Sequence, residues 1–393
     1  MTAFDFPLAQ TDIGDAERDA VMSVLDRGWI SSGPEIGAFE EAFAAFCDAR
    51  HAVMVNSGTS ALTVGFLALG IGPGDEVILP SLTFSATLNG VLATGACAVL
   101  VDVDEQGLIC FESVQAALSP ATAAVVPVDL YGQCVDLPRL RQCIGSEIAI
   151  VEDAAEALGA EAETFAASGV YQAGHISGHG EASIFGFYPN KVLTTGEGGM
   201  LVTNDSQVAA RVRARINQSR RNDSDADVTL EIGELPGFSM RGNELAAAMG
   251  RVQLTTLGQR LLQRRALAGD YLLRLAAVLP AGQRPFINNV NATSWFTMPI
   301  LWSDKLERDH LWQALKYRGV ASARYFAALH REPAVLALPR DKIRTLDCSR
   351  SAHIADHILC LPFWPGLGDQ LPELMDRLSH AIHALGSAPE ESA

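Results

Sequence analysis

The sequence predicts an α/β protein with two domains, a large one on a mainly parallel seven-stranded sheet and a smaller C-terminal α+β one. Three observations carry that prediction. Short β-branched runs alternate with helical patterns over the first two thirds of the chain. Some of these runs, such as Ala-Ala-Val-Val-Pro-Val at 123–128, are apolar on both faces, as strands are when helices cover both sides of a sheet. After Asn243 the pattern turns helical for a long stretch, then returns to mixed strand and helix.

The strand candidates are 51–56, 76–79, 98–103, 123–128, 148–152, 183–187 and 200–203. Helical stretches follow several of them, as at 60–69 and 85–93. From Asn243 to Leu279, Leu254, Leu257 and Leu261 repeat at helical spacing. A helix of that length spans roughly 50 Å, enough to bridge two domains. Beyond it, 295–301 reads as a strand, 308–318 as a helix, 320–325 as a strand and 371–385 as a closing helix. The division falls at 1–250 and 251–393. Segments 161–181 and 222–234 read as surface loops and 386–393 as a frayed tail.

A chain of 393 residues, 48% hydrophobic, is long enough to bury a large core. Its net charge of −17 argues against nucleic-acid or anionic-membrane partners, which need a basic surface. The seven cysteines are scattered and form no Cys-x-x-Cys pair, so neither a zinc site nor a disulfide framework is indicated. Residues 1–10 lack the basic and apolar regions of a secretory leader, and the apolar stretch around 77–101 is broken by Pro80, Gly90 and Gly95. These features point to a soluble, cytoplasmic protein.

Four constellations carry chemical interest. Lys191 stands between two apolar strands and is followed by a glycine-rich turn, Gly196 to Gly199. A lysine there is solvated, paired or used in chemistry such as Schiff-base formation, and it reads equally as a surface residue at a hairpin turn. Asn56 to Leu62 runs from a strand through Ser57, Gly58, Thr59 and Ser60 into a helix. Such a start is an anion site, or simply a helix capped by Thr59 or Ser60. Asp153 ends a buried strand, at the sheet edge where α/β proteins bind ligands, and also fits a helix cap. Phe84 suits stacking on an aromatic ring or a place in the core. Gly70-Ile71-Gly72-Pro73-Gly74 follows a helix and precedes a strand, the wrong order for a dinucleotide fingerprint.

The order of these parts resembles the fold-type I enzymes that use pyridoxal 5′-phosphate, and among them the DegT/DnrJ/EryC1/StrS aminotransferases. The resemblance extends from Gly28-Trp29-Ile30-Ser31 through 127–133 and 237–250 to 319–326 and Leu361-Pro362. It implies that Lys191 holds the cofactor as an internal aldimine and shuttles a proton, while Asp153 keeps the pyridine nitrogen protonated. Gly58, Thr59 and Ser60 would receive the phosphate, Phe84 would stack on the ring, and Glu156 would lie beside it. Asn217 would reach the phosphate of a partner subunit, which implies a homodimer with shared sites. Trp29, Ser31, Tyr188, Arg241, Arg324 and His330 are the substrate-contact candidates.

Several positions depart from the family pattern. Gly186 stands where a phosphate-binding serine is common, and Glu156 where an amide or imidazole is usual. Ser239 and Gly242 interrupt the run around Arg241, and Ser219 replaces a frequent glycine. The activity implied is transfer of an amino group from a donor such as L-glutamate to a keto group of a nucleotide-linked sugar. The alternatives are a keto-cyclitol or another secondary-metabolite precursor as acceptor, a sugar dehydratase, or a non-catalytic regulatory homologue. Retention of Lys191 argues against the dehydratase branch, where histidine replaces it.

Overall fold

The computed structural model describes residues 4–164, 169–174, 179–220, 233, 235–287 and 289–386. The strands are β1 (His51–Val55), β2 (Glu76–Pro80), β3 (Cys97–Val101), β4 (Thr122–Val125), β5 (Ala149–Asp153), β6 (Glu161–Thr164), β7 (Gly169–Gln172), β8 (Ala182–Gly186), β9 (Gly199–Thr203), β10 (Arg284–Pro285), β11 (Met298–Leu301), β12 (Ile343–Thr345) and β13 (Ile358–Leu361). The main sheet runs in the order β1-β9-β8-β5-β4-β2-β3-β12. Every member is parallel to the others except β9, which is antiparallel to both its neighbours.

All seven predicted strands of this sheet form, six within two residues of their expected limits, while the one expected at 123–128 already ends at Val125. The sheet has an eighth, β12, which comes from the C-terminal part of the chain and adds to the free edge of β3. Its three residues are too short and too polar to read as a sheet strand. Side chains alternate between the two faces, so Ile150, Phe185 and Met200 enter one apolar core while Val151, Ile184 and Leu201 enter the other. Phe39 and Phe43, on the helix Pro34–Phe46, pack with Phe185 and Phe187 in the first of these.

The long helical pattern resolves into two helices, Glu244–Thr255 and Leu257–Val278, which break at Thr256. A second sheet, β10-β11-β13, lies in the C-terminal part, with the helices Lys305–Tyr317 and Leu371–Gly386 packed against each other. The expected strand 295–301 starts only at Met298, because Trp295 has a left-handed backbone and Ser294 bonds to Gly132 O at 2.9 Å. The expected strand 320–325 forms no ladder. It makes single bridges from Val320 to Phe6 and from Ala323 to Cys360. Segment 161–181, expected to be a loop, contains the β6–β7 hairpin. Segment 222–234, apart from Gly233, and the tail beyond Gly386 lie outside the described residues.

This topology positions the site. β5 and β8 are parallel neighbours, so Asp153 and Gly186 end at the same edge of the sheet. The chain then turns at that edge through 187–198 and comes back as β9, which is why one strand is reversed. The turn is pinned by Phe187 N to Gly198 O (2.9 Å), Thr195 N to Phe187 O (3.0 Å) and Thr194 N to Gln253 Oε1 (3.1 Å). A side chain on Gly199 would sit 2.5 Å from the Ser57 backbone. That glycine is therefore required by the approach of β9 to the turn after β1.

Candidate active site

A cavity of about 420 Å³ opens at this sheet edge. Its walls come from 57–59, from Thr83, Phe84 and Ala86, and from the ends of β5 and β8; Phe296, Tyr325 and Phe326 close it from the C-terminal part. Lys191, Asp153, Glu156, Gly58, Thr59, Phe84 and Tyr188 all line it, although they span more than a third of the sequence.

Asp153 is buried at the end of β5. Its Oδ2 accepts from Thr87 Oγ1 at 2.7 Å, and its Oδ1 from the Ala155 backbone N–H at 3.3 Å. Burial pushes its carboxyl up, while the Thr87 and Ala155 bonds and the charge of Lys191 pull the other way. It does not cap a helix; it is the last residue of a strand with its carboxylate in the cavity.

Lys191 has a side chain only 16% exposed, and its Nζ lies 3.4 Å from Glu156 Oε1. The same ammonium sits over the Phe296 ring, 4.2 Å from the centroid. The hairpin-turn alternative is thereby resolved in part: Lys191 is on the turn, but it points inward to an acid and an aromatic face. Glu156 is buried, and its second oxygen accepts from the Tyr131 backbone N–H at 3.0 Å. Burial raises its pKa against the lowering effects of Lys191 and that N–H.

The helix Gly58–Ala68 begins at the cavity wall, and its cap is neither Thr59 nor Ser60. Ser57 Oγ accepts from Ser60 N at 3.1 Å. The Ser60 hydroxyl donates to Asn56 Oδ1 at 2.6 Å and lies 2.9 Å from Ser57 Oγ, so it is turned toward the strand end and is not among the cavity-lining groups. Ser57, Gly58 and Thr59 supply that wall. At Gly186 an added Cβ would meet only Ala155 Cβ, at an ordinary 3.6 Å.

Other candidates lie elsewhere in this chain. Asn217 Oδ1 accepts from Arg241 Nη1 at 2.9 Å, and Arg241 also reaches Ser239 Oγ at 3.2 Å. Neither lines the cavity. Trp29 and Ser31 are exposed and bonded to each other, Trp29 Nε1 donating to Ser31 O at 2.7 Å. Arg324 lies over Trp312 and 3.4 Å from Asp309. His330 Nδ1 is 2.7 Å from Ser81 Oγ, and burial lowers its pKa.

The lining groups and supports missing from the sequence candidates include Ser57, Thr87, Asn190, Phe296, Tyr325 and Phe326. Tyr325 stacks on Phe326 at 4.8 Å and on Phe296 at 6.1 Å, and Phe84 lies 5.6 Å from Phe326. Burial pushes the Tyr325 phenol up to about 12. Asn190 was visible as the neighbour of Lys191, and Tyr325-Phe326 as part of a matching motif; Phe296 and Thr87 gave no signal.

The sequence profile of the DegT/DnrJ/EryC1/StrS aminotransferase family matches residues 11–379. GDP-perosamine synthase of Caulobacter vibrioides is 35% identical over 333 residues, 84% of this chain and 86% of that protein. The spore coat polysaccharide biosynthesis protein SpsC of Bacillus subtilis is 34% identical over 369 residues, 91% of this chain and 92% of its own. The crystal structure of S. venezuelae DesV in complex with a ketimine intermediate superposes with a TM-score of 0.80 at 33% identity, covering 97% of this chain and 99% of that one. The chain belongs to the DegT/DnrJ/EryC1/StrS aminotransferase family. It is an aminotransferase of fold-type I that uses pyridoxal phosphate.

The Asp153 environment yields a test that needs no cofactor. Thr87→Val removes one donor from a buried carboxylate and should cost about 1–3 kcal/mol where Asp153 is ionised. Asp153 needs that donor only as an anion. The penalty should therefore be full above its folded pKa and shrink as pH falls through it. Urea denaturation of the cofactor-free variant at neutral and acidic pH measures this; a penalty that grows toward acid would separate Thr87 from Asp153.

Proposed function

We propose that this aminotransferase moves the amino group of an amino acid, with L-glutamate the first candidate, to a keto carbon of a nucleotide-linked sugar. One observation carries the reading of the site: Asp153, at the end of β5, and Lys191, on the turn after the adjacent β8, share a cavity with a helix N-terminus in its wall. The acceptor class is supported by a relative named for a GDP-linked amino sugar and another named for polysaccharide biosynthesis.

The residues present suit pyridoxal phosphate. Asn190 lines the cavity with a buried Oδ1 that has no partner among the described residues, and 57–59 offer hydroxyls and N–H groups to an anion. When bound, this cofactor supplies an electron sink for negative charge on the substrate carbon beside the nitrogen. Asp153, as an anion, would hold a proton on the ring nitrogen. Lys191 would anchor the cofactor's carbonyl carbon and, once released, would carry a proton from the substrate carbon to that cofactor carbon. Glu156 fixes the Lys191 ammonium when that group is free. Phe84, Tyr325 and Phe326 form a wall that excludes water from the reacting atoms. We read the chain as two domains, 1–250 and 251–393, with this aromatic wall contributed largely by the second.

We further propose an active homodimer. Asn217 and Arg241 are bonded to each other away from their own chain's cavity, which suits a pair that serves the phosphate of a partner subunit.

The purified protein should be yellow and lose its aldehyde-linked absorbance when L-glutamate is added, whereas Lys191→Ala should give no turnover. Complete transamination cycles by Lys191→Ala would remove the lysine from this role. Offering keto-sugar nucleotides and keto-cyclitols to the glutamate-treated enzyme decides the acceptor, because only the true one restores the absorbance.

Gly186→Ser tests the phosphate wall. There is space for the side chain, and one added hydroxyl should tighten pyridoxal phosphate binding by about 1 kcal/mol, the net worth of one hydrogen bond. Weaker binding, measured by fluorescence titration, would mean that the phosphate does not lie against β8.

The shared-site reading is tested with mixed dimers of Lys191→Ala and Asn217→Ala chains. One site then carries both lesions and the other neither, so mixing should recover up to half of wild-type activity. No recovery after subunit exchange, with both single variants impaired, would confine Asn217 to its own chain.

A further inference from the structure

Glu152 and Asp153 are consecutive in β5, so their side chains leave opposite faces of the sheet. Asp153 faces the cavity. Glu152 faces the other side, completely buried, where its Oε2 accepts from the Gly174 backbone N–H at 2.9 Å and from Ser183 Oγ. Asp129 is also completely buried and lies just past β4. Its backbone N–H donates to Asp153 O at 3.0 Å, and its Oδ1 accepts from Val135 N at 2.9 Å. Its other oxygen, Oδ2, is buried and has no donor among the described residues. Ligand atoms of Asp129, Glu152 and Cys134 all lie within 4.8 Å of one another.

Two carboxylates this close and this buried do not both ionise. A buried oxygen left without a partner is also costly. One proton on Asp129 Oδ2, donated to the Glu152 carboxylate, removes both penalties. We propose that Asp129 is held as a neutral carboxylic acid hydrogen-bonded to Glu152, and that this bridge positions the strand ends from which Asp153 enters the cavity. Glu152 is the partner that stays anionic, because among the described residues two donors already stabilise its charge, whereas Asp129 has one. Burial and the charge of Glu152 push the Asp129 carboxyl well above the usual range, against the Val135 N–H. Among the described residues the titratable groups that face Asp129 are Glu152, Asp153 and Cys134, and burial pushes the Cys134 thiol up as well. Asp129 thus acts through Asp153 and touches no reacting atom. Its link to the ring nitrogen rests on the role proposed above for Asp153; its protonation does not.

The experiment uses the cofactor-free protein first. Asp129's folded pKa lies above its unfolded one, so its contribution is full below the unfolded value and is lost as pH rises through the folded value. Asp129→Asn keeps a donor toward Glu152 but cannot titrate. From acid toward alkaline pH the wild type should lose stability relative to Asp129→Asn, by up to tenfold in the folding equilibrium per pH unit. The infrared carbonyl band of a protonated acid, present in the wild type at neutral pH, should weaken in the variant. Parallel pH profiles with an unchanged acid band would overturn the neutral-acid assignment. In the loaded enzyme, Asp129→Asn should keep the wild-type cofactor spectrum and Asp129→Ala should shift it; an unshifted Asp129→Ala spectrum would overturn the positioning role. If Asp129→Ala does not fold, an Asn spectrum unlike wild type does so instead.

Discussion

The site depends on desolvating a few charges at one edge of a sheet without leaving any of them alone. Asp153, Glu156 and Lys191 all lie in the low-dielectric space above β5 and β8. An unpartnered buried charge costs several kcal/mol, more than any single contact in the region supplies. The fold therefore surrounds each one. Thr87 and Ala155 N–H serve Asp153, Tyr131 N–H serves Glu156, and Glu156 with the Phe296 ring serves Lys191. These partners come from a helix, two turns and the C-terminal part of the chain, so the geometry of the acids fixes how distant segments meet.

The reversed strand β9 follows from the same requirement. A lysine must stand at the edge where β5 ends, and the shortest chain path that offers one is a turn directly after β8. That turn can only return antiparallel, beside β1. The return is tight enough that Gly199 nearly touches the Ser57 backbone. The turn after β1 and the lysine turn are thus packed on each other. In sequence Gly198 and Gly199 look alike. Gly198 does line the cavity, but Gly199 makes room for the protein's own backbone.

Most of the sheet was legible because each buried strand carries its own apolar run, and strand pairing needs no further signal. The lysine, the aspartate and the helix start were legible because each sits at a strand end, where polarity changes abruptly. What stayed hidden depends on tertiary geometry. β12 is short and polar and becomes a strand only because β3 has a free edge. Ser57 rather than Thr59 or Ser60 caps its helix, a choice made by one residue's backbone angle at the turn (φ −165°, ψ 159°). Phe296 is far from the other lining residues in sequence, and nothing local distinguishes it from a core phenylalanine. The strand expected at 320–325 had the right composition but no ladder to join beyond one bridge to β13.

The run from Glu152 to Glu156 shows how far local reading reaches. Three acids within five residues look like a single acidic cluster, and a cluster would repel itself in a buried setting. The fold disperses them instead. Strand alternation sends Glu152 below the sheet and Asp153 above it, and the turn after β5 carries Glu156 toward Lys191 and Tyr131 N–H. Each then meets a different environment. Glu152 meets backbone and hydroxyl donors, Asp153 a threonine and an N–H, and Glu156 an ammonium. Identical chemistry at neighbouring positions is thereby given three separate tasks, and the period of a β-strand is the device that separates the first two. Asp129 completes the arrangement from the segment just past β4, the next strand over, so the acid above the sheet and the acid below it are tied to the same backbone.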